Sequence, residues 1–138
     1  MKYLLSIILS VFLLSCVATG NKFDKIRLYS PDTVTVYVLR QSMISGGLYC
    51  ADIYEYGKHK GCLKNGGYLR FEASPGSVLF RAEYMTKNKY KTIEAKAGDV
   101  VFLEWYIQTY TDGNYMDKII VHSKDYGLKL ISELNLSS

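Results

Sequence analysis

The sequence has few of the residues from which metal and cofactor sites are built. It contains two histidines and three cysteines among 138 residues, whereas a metal site needs three or four converging ligands. His59 and His122 are far apart, and no pair of residues shows the spacing of metal ligands. No glycine-rich loop precedes a helix in the way that phosphate binding requires. We therefore expect no metal and no cofactor.

Long hydrophobic runs are also missing, apart from a short one at the N-terminus. A membrane-spanning helix needs about 20 apolar residues, and the run from Leu4 to Leu14 has roughly half that length. Lys2 in front of this run completes the pattern of a secretion signal. Leu13-Leu14-Ser15-Cys16 fits the site that bacterial lipoprotein signal peptidase cleaves, just before the cysteine. The sequence therefore predicts a signal peptide at residues 1–15 and lipidation of Cys16.

A lipidated Cys16 would hold the protein on a membrane. Each buried methylene of an acyl chain contributes about 0.8 kcal/mol, and two or more chains give stable anchoring. Val17 follows the cysteine and no aspartate does, which in enteric-type bacteria favours the outer membrane. The predicted localisation is thus the bacterial cell envelope. The alternatives are an ordinary signal peptide cleaved after Ala18 or Gly20, and an uncleaved anchor.

Chain length and charge limit the organisation and the partners of the protein. Removing 15 of the 138 residues leaves 123, which is enough for one domain with a hydrophobic core and too few for two. Without Lys2, 16 basic residues face 13 acidic ones, and the charges are interspersed along the chain. Nucleic-acid-binding proteins concentrate basic residues on one face. We therefore expect no nucleic-acid partner.

Cys50 and Cys62 are the two cysteines left once Cys16 is assigned to lipid. An even number of cysteines in an oxidising compartment indicates one disulfide. The loop that it would close, about a dozen residues, corresponds to roughly 3 kcal/mol of loop-closure entropy. A two-residue turn at Tyr56-Gly57 would, however, put the two thiols on opposite faces of a regular hairpin. A bulge or a longer loop would bring them together, and two reduced, partly buried thiols are the alternative.

Alternating apolar and polar residues predict β structure after residue 30. Residues 16–30 show little periodicity, which suggests a lipidated N-terminus followed by a flexible tether. Beyond it, short alternating runs are separated by turn signals, as is typical of a sandwich or barrel. The predicted strands cover residues 33–40, 48–56, 61–64, 67–73, 77–84, 89–96, 100–110 and 115–122.

The C-terminal segment has a different period. Tyr126, Leu130, Ile131 and Leu134 recur at helical spacing, which predicts a helix from about residue 124 to residue 135. Gly127 costs such a helix about 1 kcal/mol, and a final edge strand is the alternative. We expect an all-β fold, an antiparallel β-sandwich over residues 31–138 with a short C-terminal helix.

The turns between Ala51 and Asp99 resemble those of a known family. The matching features are the hairpin Ile53–Lys58, the return Gly61–Tyr68, the turn Pro75-Gly76 and the turn Ala97-Gly98-Asp99. This stretch, about half of the mature chain, resembles a bacterial envelope lipoprotein family of unknown function. The resemblance implies a transthyretin-like (prealbumin-like) or carboxypeptidase-regulatory-like β-sandwich. The family supplies no catalytic residues to transfer.

Tyrosine is the one residue type in excess, with thirteen in the chain. It suits strands because its ring covers a pleated surface while its hydroxyl stays in water, and this explains most of the tyrosines. Trp105, Tyr106, Tyr110 and Tyr115 flank the Asp112-Gly113 hairpin, and aromatic residues with a polar tip are frequent in binding surfaces. We predict a contact surface there.

No arrangement of residues in the sequence points to catalysis. The serines are not in the context of a nucleophile, and solvated sheet faces explain the glutamates on the predicted strands. We expect a non-enzymatic, lipid-anchored structural or interaction module with an envelope protein as partner. Two other functions stay open, namely the binding of a small ligand or glycan and the inhibition of an enzyme such as lysozyme.

Overall fold

The structure, a computed structural model, describes residues 16–44 and 47–137. The predicted signal peptide, residues 1–15, lies outside the described residues. The described residues form nine strands and one helix, and two sheets pack face to face, which confirms the predicted all-β sandwich with a short C-terminal helix. The elements are β1 (Val34–Arg40), β2 (Ala51–Glu55), β3 (Lys58–Leu63), β4 (Gly67–Ala73), β5 (Gly76–Tyr84), β6 (Lys87–Ala95), β7 (Val100–Thr109), β8 (Tyr115–His122), α1 (Lys124–Ile131) and β9 (Asn135–Leu136).

The chain passes repeatedly from one sheet to the other. One sheet has the strand order β8-β7-β1-β4-β9 and the other has β3-β2-β5-β6. Neighbouring strands are antiparallel, except that β1 runs parallel to β7 and β4 runs parallel to β9. The turn at Asn65-Gly66 joins β3 and β4, which lie in different sheets. A turn is therefore present where the sequence predicts one, but it is not a hairpin.

The space between the sheets is filled mainly by alternate residues of β1, β2, β4, β5 and β7. Val34, Val36 and Val38 of β1 contribute to this core, as their alternation predicts. Trp105 of β7 is fully buried, and its Nε1 donates to the Oδ2 of Asp117 at 3.2 Å. Because the indole N–H has an acceptor, the largest core side chain is buried without an unsatisfied donor.

A second apolar cluster covers the outer face of the five-stranded sheet. Tyr37, Tyr68 and Phe102 of the sheet belong to it, together with Ile131 of α1 and Phe23 of the N-terminal segment. The ring of Phe23 lies edge-on to those of Tyr37 and Tyr68, with centroid distances of 5.8 and 5.9 Å. Both faces of β1 are thus covered, so all seven of its residues are buried.

Residues 16–30, which the sequence suggests as a flexible tether, lie along this outer face. The backbone N–H of Ala18 donates to the carbonyl of Asn65 at 3.1 Å, and that of Gly20 donates to the carbonyl of Leu136 at 3.0 Å. Phe23 is both bonded through its backbone and packed in the second cluster. The segment is therefore part of the packed domain, and Cys16 is held at the domain surface.

The C-terminal segment combines the two structures that the sequence allowed. Helix α1 begins after Ser123, whose hydroxyl accepts a hydrogen bond from the N–H of Tyr126 as an N-cap. It ends at Ile131, four residues earlier than the periodicity predicts. The chain then forms the short strand β9, which pairs with β4 at the edge of the sheet.

Candidate functional site

Four connections meet at one end of the sandwich, which we call the loop end. β1 and β7 run parallel towards it, and β4 starts there. The connections are β1–β2 (described at residues 41–44 and 47–50), β3–β4 (64–66), β5–β6 (85–86) and β7–β8 (110–114). Because loops on a rigid sandwich commonly carry binding residues, the loop end is the candidate functional site.

Cys16, the predicted lipidation site, lies half-buried at the loop end. Its carbonyl accepts a hydrogen bond from the N–H of Asn65 at 3.2 Å, and Val17 forms a β-bridge with Asn65. The buried side chain of Asn65 accepts from the N–H of Met43 and donates to the carbonyl of Met43, both at 2.9 Å. Asn65 of the β3–β4 connection therefore bonds to Cys16 through its backbone and to the β1–β2 connection through its side chain.

Exposed apolar side chains are concentrated at the loop end. Of the thirteen large hydrophobic residues that are exposed in the described part of the chain, six lie there. At the opposite end, the β2–β3, β4–β5 and β6–β7 connections carry one, Tyr56, and the segment that leads into β1 carries Leu28 and Tyr29. Charged residues are few in the described loop-end connections, where Lys64 and Asp112 are found. The six exposed residues are Val17, Ile44, Leu48, Tyr49, Met85 and Tyr110.

The four aromatic residues predicted as a contact surface do not form one. Trp105 is buried between the sheets, and Tyr115 packs edge-on against Tyr84 with ring centroids 5.4 Å apart. Tyr106 points to the other face of β7, since adjacent residues of a strand face opposite sides. Tyr110 alone of the four is exposed at the loop end. The prediction of a joint surface was therefore wrong.

The predicted disulfide between Cys50 and Cys62 is present, with a Cα–Cα distance of 5.5 Å. Cys62 pairs across the hairpin with Asp52, two residues after Cys50, so the two cysteines share one face of the four-stranded sheet. Cys50 directly follows Leu48 and Tyr49 in the chain. The disulfide thus fixes the end of the β1–β2 connection that carries the exposed side chains of Leu48 and Tyr49.

A β-bulge brings the two cysteines to the same face. The hairpin has a two-residue turn at Tyr56-Gly57, in which both residues have positive φ, as a type I′ turn requires. Next to the turn Tyr54 pairs with His59, but Ile53 pairs with Gly61. One residue of β3 is therefore extra, and it shifts the register by one. Of the two ways in which the sequence analysis allowed the disulfide to form, a bulge or a longer loop, the structure has the bulge.

Arg40 supports the loop end from inside the domain, a role that the sequence analysis missed. The side chain is fully buried, and its Nη1 donates to the carbonyls of Tyr49 at 2.6 Å and Leu63 at 3.4 Å. Its guanidinium lies 5.0 Å from the ring centre of Trp105 and 5.8 Å from that of Tyr84. Burial lowers the pKa of Arg40. The sequence does indicate that Arg40 is buried, because Arg40 follows Val34, Val36 and Val38 on the core face of β1.

Glu104 and His122 form a second buried polar contact that the sequence analysis did not identify. A carboxylate oxygen of Glu104 lies 2.7 Å from the Nε2 of His122, and the other accepts from the Nε2 of Gln41 at 2.7 Å. The ring of His122 lies 4.9 Å from that of Tyr126 in α1. No hydroxyl or thiol of the described residues is bonded to this pair. It joins the β1–β2 connection to β8 and the helix.

The interior of the sandwich leaves little room for a ligand. The cavity lined by Val38, Phe80, Leu103 and Trp105 holds about 10 Å³, whereas ligand pockets measure roughly 300–1,000 Å³. Larger depressions open at the surface. One of about 440 Å³ lies on the outer face of the five-stranded sheet, beside the N-terminal segment.

Residues 16–44 and 47–137 contain neither a cluster of metal-ligand residues nor a helix that could span a membrane. No group of three or more histidine, cysteine, aspartate or glutamate residues there could hold a metal ion. No helix among these residues is long and apolar enough to cross a bilayer.

The sequence matches no protein-family model and no curated protein.

Proposed function

We propose that this protein is a lipoprotein of the bacterial cell envelope, anchored to the outer membrane by acyl chains on Cys16. We propose further that it is non-enzymatic and acts as a structural or protein-interaction module. The signal-like sequence before Cys16 and the resemblance to a lipoprotein family with a transthyretin-like domain support this. The observation that carries the proposal is that Cys16 lies at the end of the sandwich where exposed apolar side chains are concentrated.

The position of Cys16 would determine which end of the domain faces the membrane. The backbone of Cys16 is bonded to Asn65, so acyl chains on its sulfur would leave directly from the domain surface. The loop end would then rest on the bilayer. Aromatic residues with a polar tip are enriched at membrane interfaces, and Tyr49 and Tyr110 are exposed at this end. Ile44 and Leu48 add apolar surface that a lipid interface would cover.

An envelope partner would meet the faces that this orientation leaves accessible. The outer face of the four-stranded sheet carries a cross-strand row in which Tyr54 pairs with Arg81 and Arg81 pairs with Tyr90. The guanidinium of Arg81 lies 3.9 Å from the ring centre of Tyr54, and Tyr90 is exposed. Tyrosine and arginine are enriched in protein interfaces. This row is the surface that we assign to a protein partner.

Replacement of Cys16 tests the anchor. The change Cys16→Ser should move the protein from the membrane fraction to the soluble fraction, because it removes the acyl-acceptor sulfur. The double change Cys50→Ser with Cys62→Ser is the matched control, and it should leave the protein on the membrane. Intact-mass spectrometry of the unchanged protein should give a chain that starts at Cys16 and carries acyl groups. A chain that keeps residues 1–15, or an unacylated start beyond Cys16, would overturn the proposal.

A further inference from the structure

The groove of about 440 Å³ lies between the N-terminal segment and the outer face of the five-stranded sheet. Most of its charged lining residues are basic, with four cationic side chains and one carboxylate. The four basic residues of the lining are Lys22, Lys25, Arg27 and Arg70, and the acidic one is Asp24. Such a concave basic surface attracts anions.

Two of the four cations have a carboxylate nearby. Arg27 forms an ion pair of 2.7 Å with Asp24, and this contact lowers the pKa of Asp24. Lys22 lies 3.7 Å from Glu133, with both side chains well exposed, which makes a weak pair. Lys25 and Arg70 form no ion pair with a described residue. The groove therefore has two positive charges available to a ligand.

The floor of the groove provides hydroxyl groups. Tyr37 and Tyr68 line it from the sheet. The hydroxyl of Tyr37 is engaged with the backbone of Arg27, whereas that of Tyr68 makes no hydrogen bond to a described residue. Burial raises the pKa of Tyr68. The protonated phenol can both donate and accept hydrogen bonds.

Contacts at both ends of the groove hold its walls in place. The hydroxyl of Tyr29 donates to the carbonyl of Arg70 at 3.0 Å, and the guanidinium of Arg70 lies 4.7 Å from the ring centre of Tyr29. At the other end the N–H of Leu136 donates to the carbonyl of Asn21 at 2.9 Å. A site that is formed before binding loses less entropy when it orders a ligand.

We propose that this groove binds a small sugar or polyol that carries a phosphate or carboxylate group. Lys25 and Arg70 bind the anionic group, and Tyr68 bonds to a ligand hydroxyl. The volume suits a ligand of this size. The inference goes beyond the proposed function and does not depend on lipidation of Cys16.

Calorimetric titration of the purified full-length protein tests the groove. The probes are glucose 6-phosphate, glucuronate, inorganic phosphate and glucose, at low ionic strength. Glucose 6-phosphate or glucuronate should bind at least tenfold more tightly than glucose or inorganic phosphate. Equal binding of inorganic phosphate would reduce the groove to a general anion site and overturn the proposal, as would the absence of binding at millimolar concentrations.

Substitutions locate the binding. The double change Lys25→Gln with Arg70→Gln should weaken binding of the better anionic probe at least tenfold, and Tyr68→Phe should weaken it several-fold. The control is Lys96→Gln, an exposed lysine at the end opposite the loop end, which should leave binding unchanged. Circular dichroism checks that the variants fold. Binding that the double change does not weaken, in a folded variant, would place the ligand elsewhere and refute the inference.

Discussion

Gly127 gives the sharpest test of how helix α1 packs on the sheet. In an isolated helix, alanine is more favourable than glycine by about 1 kcal/mol, so helix propensity predicts that Gly127→Ala stabilises the protein. In the structure Gly127 is buried against β7. A Cβ added at this position would lie 2.5 Å from the Cβ of Phe102 and closer still to its Cγ. Ordinary contacts between carbon atoms are roughly 3.5–4.0 Å, so the helix or the ring must move by about 1 Å.

The cost of that movement decides the sign of the effect. The ring of Phe102 is stacked on that of Tyr37, with centroids 5.2 Å apart, so it cannot turn away without disturbing the second cluster. Overpacking of this kind costs about 1–3 kcal/mol, and the helix propensity of alanine offsets about 1 kcal/mol. Since the clash is severe, we expect Gly127→Ala to lower the free energy of unfolding by about 1–2 kcal/mol. The melting temperature should fall by roughly 4 °C for each kcal/mol.

Urea denaturation followed by the fluorescence of Trp105 measures this change. Lys129→Ala is the control, because Lys129 is exposed in the same helix and its replacement should alter stability by less than about 0.5 kcal/mol. In a double-mutant cycle, Phe102→Leu should reduce the cost of Gly127→Ala, since it removes part of the ring that the new methyl meets. A stabilisation of about 1 kcal/mol by Gly127→Ala would show that Gly127 does not face β7.

Two further predictions concern the core and the disulfide. Replacing Cys50 and Cys62 by serine should lower the free energy of unfolding by about 3 kcal/mol, because the bond closes a loop with a sequence separation of 12 residues. Reduction of the unchanged protein should shift its urea midpoint equally, and an unchanged midpoint would contradict the contribution of the bond. Asp117→Ala should cost about 1–3 kcal/mol, because it leaves the buried N–H of Trp105 without an acceptor. Asp117→Asn keeps an acceptor oxygen and should cost less; an equal loss would point instead to the ion pair with Lys89.

Local patterns in the sequence were enough to identify most strands. The alternation of Val34, Val36 and Val38 predicts one buried face of β1, because side chains point to opposite sides of a strand in turn. The pairing of strands could not be obtained in this way. Asn65-Gly66 has the composition of a hairpin turn, yet β3 and β4 belong to different sheets. Whether two neighbouring strands pair or separate depends on long-range packing, which a turn sequence does not encode.

In the candidate site, some features could have been predicted from strand alternation and others could not. Trp105 and Tyr106 are consecutive on a predicted strand, so alternation alone shows that they cannot share a surface. Arg40 could have been identified from the same rule, since it occupies the apolar side of β1. The loop end could not have been identified from the sequence, because its exposed side chains come from connections that meet only when both sheets have formed. No sequence period relates Ile44 to Met85 or Tyr110.

The segment from Cys16 to Ser30 links the two proposals and keeps them separable. Its backbone is irregular, so hydrophobic periodicity does not predict that it packs on the domain. Phe23 and Ile26 nevertheless belong to the second apolar cluster. At one end it places Cys16 beside the loop end, and further along it forms a wall of the basic groove. Hydrogen bonds to Asn65, Leu134 and Leu136 hold it on the domain independently of any acyl chain. Release from the membrane should therefore leave the groove intact, so failure of the anchor and failure of ligand binding would be distinct results.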